Sequence, residues 1–336
     1  MPAFGTDDEK TRPVSELPQP VALRSLLFVP GDSERKQAKA LTTAADALIL
    51  DLEDSVDPQQ LPAARARVRE LLHARPAAAA PRLWVRINPP SGGLWRDDLA
   101  ALFGANAAGH TPDGIVVPKV SSPAEITTLA DHLAQLEARC GMRAGDTRLL
   151  VIATETPQGL LALPHYPAVL GASLTTAARL AGLTWGVEDL GAALGVLGRR
   201  DASGALTFTF QLARASCLLA AAALGVQAID SIHVDFRDAQ GLRRELDDAR
   251  RDGFSGKLAI HPEQVAAINA AFAPTAAECA HARRIVAAFA AAGGAGVASL
   301  DGQMIDRPHL MQAQRILAAA GRTAADAQGA TSGSGA

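Results

Sequence analysis

Residues 114–136 read GIVVPKVSSPAEITTLADHLAQL, one complete strand-then-helix unit. Ile115, Val116 and Val117 form a short, uninterrupted β-branched run, the composition of a parallel strand buried on both faces. Ser122-Pro123-Ala124-Glu125 has the form of a capping box with proline at the first helical position. Beyond it Ile126, Leu129, Leu133 and Leu136 fall on one face at helical spacing. Between the two periods sits Pro118-Lys119, a polar group placed where a strand gives way to a helix.

The same unit recurs along the chain. Apolar runs occupy 25–30 (SLLFVP), 47–53 (ALILDLE), 82–88 (RLWVRIN), 148–155 (RLLVIATE), 182–189 (GLTWGVED), 227–232 (QAIDSI) and 257–262 (KLAIHP), which with 114–119 makes eight. Their starts are 22, 35, 32, 34, 34, 45 and 30 residues apart, room for one strand and one crossover helix each. Thr156-Pro157 repeats the cap-then-proline start after the fifth run. No GxGxxG follows the first run and no GxxxxGK[ST] occurs, so neither a dinucleotide fold nor a P-loop is indicated. Eight βα units predict an α/β protein of the (β/α)8 TIM-barrel class with a C-terminal helical extension. The expected division is a disordered N-terminal extension at 1–20, the barrel at 21–264, a helical extension or lid at 265–320 and a disordered tail at 321–336.

Composition narrows the function classes. The chain has 336 residues, is 48% hydrophobic and 20% charged, and carries a formal net charge of −3. That balance leaves no electrostatic footprint for nucleic acid or an anionic membrane surface. No uninterrupted apolar stretch of about 18 residues appears, which argues against a membrane span. The polar start lacks an apolar signal core, so the cytoplasm is the expected location. Cys140, Cys217 and Cys279 are too far apart for a CxxC-type site and read as structural thiols. Arginine outnumbers lysine 27 to 5, which makes each lysine worth placing.

In a barrel the chemistry collects at the carboxyl ends of the strands. Those positions hold Gly31 and Asp32, Glu53 and Asp54, Arg86, Lys119, Glu155, Glu188 and Asp189, Asp230 and His261. Glu155 and Asp189 end adjacent strands, and two carboxylates with waters and a chelating substrate suit octahedral Mg²⁺. The competing reading makes Asp189 the cap of a helix beginning at Leu190. Arg86 stands in an apolar strand, where its fork either binds a substrate carboxylate or pairs with Glu53 or Asp54. Lys119 has three readings: neutralising a substrate anion, forming a Schiff base, or pairing with a strand-end acid. Lys257 begins its strand and so is expected on the opposite, stability face. The first loop, Pro30 to Lys36, with Arg24 and Lys39, offers backbone N–H groups and basic side chains to a phosphate.

Taken in order, these motifs resemble a known family. RSLLFVPG (24–31), LDLEDSV (50–56), VRINP (85–89), VVPKV (116–120), ETP (155–157), GVEDL (186–190), GKLAIHP (256–262) and DGQMIDRP (301–308) are similar to the citrate lyase β-subunit family of the HpcH/HpaI superfamily. That group includes malyl-CoA and citramalyl-CoA lyases, and the similarity runs from about residue 24 to 317. The resemblance implies a Mg²⁺-dependent carbon–carbon lyase that splits a 3-hydroxy-3-carboxyacyl thioester, on CoA or an acyl carrier, into an acyl thioester and a 2-oxo acid. It implies Mg²⁺ ligands at Glu155 and Asp189 and an oxo-acid clamp at Arg86 supported by Glu53 and Asp54. It places Arg24 and the first loop, with Pro30, Gly31 and Lys36, near the CoA phosphates, beside Lys119 as the strand-end candidate for a substrate anion, and implies a homotrimer or homohexamer in which Asp306 enters a neighbour's site. Val187 stands where relatives usually carry a small hydroxylated residue, and Ser121 where an acid is common. Two other functions stay open on the residues alone: a metal-dependent aldolase acting without CoA, and a non-catalytic assembly or regulatory subunit.

Overall fold

The computed structural model describes residues 23–75, 81–104, 107, 109–293 and 296–332. Eight parallel strands follow one another around a closed barrel: β1 (Ser25–Pro30), β2 (Ala47–Asp51), β3 (Arg82–Arg86), β4 (Gly114–Val117), β5 (Arg148–Ile152), β6 (Leu180–Thr184), β7 (Gln227–Asp230) and β8 (Gly256–Ala259). Closure comes from β8 pairing with β1, Leu26 opposite Leu258. Alternate residues point to two separate apolar layers. Leu26, Ile49, Trp84, Val116, Leu150, Ile152, Ile229 and Leu258 fill the barrel interior. Leu27, Leu48, Val85, Ile115, Leu149 and Leu183 face the surrounding helices. Burial on both faces is why the strand runs are apolar throughout rather than alternating. Gly114 is required by this packing, since a Cβ there would sit 2.4 Å from the Trp84 ring.

Helices α1 (Glu34–Leu41), α2 (Leu61–Ala74), α3 (Leu94–Leu102) and α4 (Pro123–Arg139) each follow one of the first four strands. Three short helices, α5 (Pro157–Ala162), α6 (Tyr166–Ala172) and α7 (Leu174–Arg179), fill the next crossover. Then come α8 (Val187–Leu194), α9 (Phe208–Leu224), α10 (Ala239–Asp252) and α11 (Pro262–Phe272). The predicted face of α4 is the buried one, with Ile126, Leu129, Leu133 and Leu136 all inside. Glu125 Oε2 accepts from the Ser121 and Ser122 N–H groups, and Thr156 Oγ1 from the Gly159 N–H, so both predicted starts are capped.

The expected boundary at 264/265 falls inside α11, a helix that packs against β8 and β1 and so belongs to the barrel. Beyond it lie α12 (Ala276–Ala291), an antiparallel hairpin of β9 (Val297–Leu300) and β10 (Gln303–Asp306), and α13 (Arg307–Ser332). This unit has a small core of its own, built on Ala282, Ile285, Phe289, Ile305 and Ala313. The extension is therefore not purely helical. Helix also continues through most of the tail expected to be disordered, in keeping with the high helix propensity of its alanines. The expectation for residues 1–20 lies outside the described residues. No helix among the described residues is long and apolar enough to cross a membrane.

Candidate active site

The carboxyl ends of the strands surround a cavity of about 810 Å³, into which Asp51, Asp54, Arg86, Glu155 and Asp189 all project. Its organising contact comes from strand register, which sets Asp51 at the end of β2 directly opposite Arg86 at the end of β3. Asp51 accepts from Arg86 Nε at 2.6 Å and Nη2 at 2.7 Å, a bidentate bond between two buried side chains. The Glu53 and Ser55 N–H groups also donate to Asp51. Burial alone would raise the Asp51 carboxyl, but the Arg86 bonds and charge outweigh it and hold the group below the ordinary range. Glu53 Oε2 lies 2.9 Å from Arg86 Nη1, while Asp54 stands off at 3.7 Å. The expected arginine support from Glu53 and Asp54 thus falls mainly to Asp51, with Glu53 second. β2 ends at Asp51, two residues short of the 47–53 apolar run, which is why the run points to Glu53 and Asp54 and not to Asp51. Phe28 places its ring 4.8 Å from the guanidinium carbon.

Lys119 connects the remaining acids. Its Nζ lies 2.6 Å from Glu53, 2.7 Å from Asp54 and 3.4 Å from Asp189, and its N–H donates to Glu155 Oε2 at 2.6 Å. To reach them all the backbone adopts φ +50°, a left-handed conformation that costs a non-glycine residue on the order of 1 kcal/mol. Burial would lower the ammonium, but the bonds from Asp54 and Glu53 prevail and raise it well above its ordinary value. A lysine held charged in this way is a poor Schiff-base nucleophile; the ion-pairing reading is the one the geometry supports. Desolvation lifts Glu53 to about 7 in spite of Arg86 and Lys119. Glu155, more deeply buried, is raised well above the carboxylate range by desolvation, with the Lys119 N–H opposing and the Asp189 and Glu53 charges adding.

Glu155 and Asp189 are brought together by close packing. Gly186 lies so near Glu155 that a Cβ would meet its Cγ at 2.3 Å, and three residues later Asp189 enters the same cavity. The helix here, α8, starts at Val187 with Gly186 as its cap, so Asp189 occupies the first turn and is not the cap residue. Among the described residues no three His, Cys, Asp or Glu side chains form a complete metal cage. Two carboxylates with only oxygen donors nonetheless fit Mg²⁺, which keeps several waters and takes substrate oxygens in preference to a full protein cage.

The first loop shapes one wall. Pro30 lines the cavity, as do Arg35, Lys36 and Lys39 from α1. Gly31 stands behind them: its N–H donates to Asp51 O at 2.8 Å, and a Cβ would sit 2.5 Å from that oxygen. Arg24 is not part of this site. It precedes β1 at the amino end of the barrel and is bonded to Asp46 through Nε at 2.9 Å and Nη2 at 2.7 Å. A residue before a strand and one after it lie at opposite ends of the barrel, which the shared motif concealed. Asp306 lies on β10 beside His309, outside the lining of this chain's own cavity. Asp230 also departs from expectation, while Lys257 keeps its expected place at the start of β8, outside the cavity lining. Both turn outward from the barrel and bond each other at 2.8 Å, because the stagger of the barrel pairs the end of β7 with the start of β8.

The sequence profile of the HpcH/HpaI aldolase/citrate lyase family matches residues 24–262. The chain belongs to that family. Its relatives in the family include the (3S)-malyl-CoA thioesterase of Cereibacter sphaeroides, 35% identical over 304 residues, covering 90% of this chain and 96% of the relative. The mitochondrial citramalyl-CoA lyase of Mus musculus is 34% identical over 303 residues, covering 88% and 86%. Among solved structures, CitE of Mycobacterium tuberculosis in complex with magnesium, acetoacetate and coenzyme A aligns with a TM-score of 0.67 at 34% identity, covering 89% of this chain and 98% of that one.

Proposed function

We propose that this member of the family is a Mg²⁺-dependent carbon–carbon lyase that cleaves, or in reverse forms, a 3-hydroxy-3-carboxyacyl-CoA thioester, giving an acyl-CoA and a 2-oxo acid. The observation that carries this reading is Arg86, held in plane by Asp51 beside the Glu155 and Asp189 carboxylates. A guanidinium has five N–H donors. Asp51 engages two of them and Glu53 only pairs in charge with Nη1, which leaves hydrogens on both terminal nitrogens for a carboxylate bound end-on. The basic stripe Arg35, Lys36 and Lys39 at the cavity mouth suits the phosphates of a thioester carrier and favours this reading over an aldolase acting on free acids.

Glu155 and Asp189 would hold the cation, whose chemistry is Lewis-acid stabilisation of the oxygen on which charge develops. Arg86 binds and orients the carboxylate of the departing oxo acid. Asp51 keeps that guanidinium from rotating. Lys119 holds Glu53 and Asp54 in place and neutralises part of their charge. As the carbon–carbon bond breaks, its electron pair passes to the acyl-thioester enolate and the substrate hydroxyl releases its proton to solvent; Asp306 of a neighbouring copy, in a homotrimer or homohexamer, protonates the enolate carbon and is reprotonated from solvent.

The test is release of 2-oxo acid from malyl-, citramalyl- and citryl-CoA with and without EDTA, read by mass detection of products. Unchanged cleavage after metal removal rejects the Mg²⁺ role, and turnover of free hydroxy acids alone rejects the thioester role. Similarity to a malyl-CoA thioesterase favours a second reading, hydrolysis of the thioester; free CoA among the products reports it. Mixing R86A and D306A variants separates an in-trans Asp306 from a bystander, since only shared sites regain activity.

A further inference from the structure

A second cavity, of about 1080 Å³, lies outside the barrel wall against β7 and β8, and Trp185 lines both this cavity and the first. Trp185 is the first residue after β6, and only Gly186 separates it from α8, whose third residue is Asp189. Its indole Nε1–H donates to Asp230 Oδ1 at 2.7 Å. Asp230 is anchored from behind by Lys257, whose Nζ donates to Oδ2 at 2.8 Å and lies 3.1 Å from Glu245. Arg214 adds a contact at 3.3 Å, and Glu245 is itself held by His233 at 3.0 Å. Asp230, Lys257 and Trp185 are all nearly inaccessible, at 3%, 1% and 4%.

Burying a lysine and an aspartate costs more than their attraction commonly returns, so this pair is a weak way to obtain stability alone. What it does supply is a charged acceptor that aims one indole N–H. The indole leads directly into a loop with little freedom: Gly186 is pressed against Glu155, and its N–H donates to Thr154 Oγ1 at 3.2 Å. Two anchors therefore hold the chain just before Asp189, the Gly186 contact inside the barrel and the Trp185 bond outside it.

We propose that Asp230, backed by Lys257, is a positioning residue that sets the cation site through the Trp185 indole. The idea rests on Glu155 and Asp189 as the cation ligands. Neither Asp230 nor Lys257 touches the cation.

The test measures Mn²⁺ affinity of the full chain by EPR, with melting temperature recorded beside it. Trp185→Phe keeps a ring and removes the donor, and should weaken Mn²⁺ binding about tenfold, the usual effect of losing a partner that orients a ligand. Two double variants remove both buried charges and differ only in the acceptor. D230N/K257M keeps an oxygen for the indole and should bind Mn²⁺ like the wild type; D230L/K257M lacks it and should lose affinity as W185F does. Should W185F not fold, this pair decides alone. Wild-type affinity in W185F or D230L/K257M overturns the proposal, whatever the melting temperature does. So does equal weakening of the two double variants, which would mean the acceptor is irrelevant. Absence of Mn²⁺ binding in the wild type instead defeats the assignment of Glu155 and Asp189, and the positioning role with it.

Discussion

Asp51→Asn tests the central contact of the site. The substitution preserves shape and removes the charge facing Arg86, which is 9% exposed and bonded to Asp51 at 2.6 and 2.7 Å. Breaking a buried ion pair from one side costs about 3–5 kcal/mol. The lower end applies, because Glu53 remains 2.9 Å from the same guanidinium. With an unfolding entropy near 2.1 cal/mol/K per residue, about 3 kcal/mol corresponds to a melting temperature lowered by roughly 4 °C in a chain of this length. The wild type should also lose this contribution in acid. Arg86 lowers the folded-state pKa of Asp51, so the stabilisation is present above the unfolded value near 3.9 and disappears as pH falls through the lower folded value. D51N should therefore show a shallower decline in stability below pH 4. In turnover, a freed Arg86 should raise KM for the 2-oxo acid in the condensing direction and lower kcat by about 100-fold, the cost of misplacing a positioning group by an ångström. Calorimetry and oxo-acid saturation curves read both effects. A variant that melts like the wild type, with unaltered oxo-acid KM, would falsify the account of Asp51.

The other expectations are narrower. Glu155→Gln and Asp189→Asn should each reduce Mg²⁺ affinity by well over tenfold in titration calorimetry, since each removes one of two protein ligands; wild-type affinity in either displaces the cation from this pair. Borohydride treatment in the presence of pyruvate or glyoxylate should trap no adduct at Lys119, whose ammonium is held charged by Glu53 and Asp54; a reduced adduct in the mass spectrum would restore the Schiff-base mechanism. Gly31→Ala should destabilise the protein by roughly 1–3 kcal/mol, because its Cβ would meet the Asp51 carbonyl at 2.5 Å, and a neutral result in urea unfolding would refute that packing. The bond to Glu245 raises the His233 imidazole, so its contribution is full below about pH 6.5 and lost as pH rises through the folded value. His233→Gln should accordingly flatten the wild-type decline in melting temperature across that range, and parallel curves would exclude it.

Much of the site was readable because a barrel turns linear order into position. Once eight strands are counted, the residue ending each strand belongs to one rim, which makes Arg86, Lys119 and Glu155 legible in the sequence. Arg24 shows the limit of motif reading: it belongs to the same short motif as Pro30 and Gly31, but six residues of strand separate the two ends. Asp230 shows the limit of the rim rule, because adjacent positions on a strand face opposite sides. Ile229 points into the barrel and Asp230 out of it.

Periodicity and turn chemistry local to each segment are enough to specify the class of fold, the order of its units and the chemical types gathered at its rim. Which charges meet is settled only by packing. Asp51 rather than Asp54 holds Arg86, Lys119 is an ion-pair partner rather than a free amine, and Lys257 reaches Asp230 across 27 residues of chain. Those outcomes depend on strand register, barrel stagger and the direction of each side chain. Such quantities are set by packing between segments distant in sequence, and no local pattern encodes them.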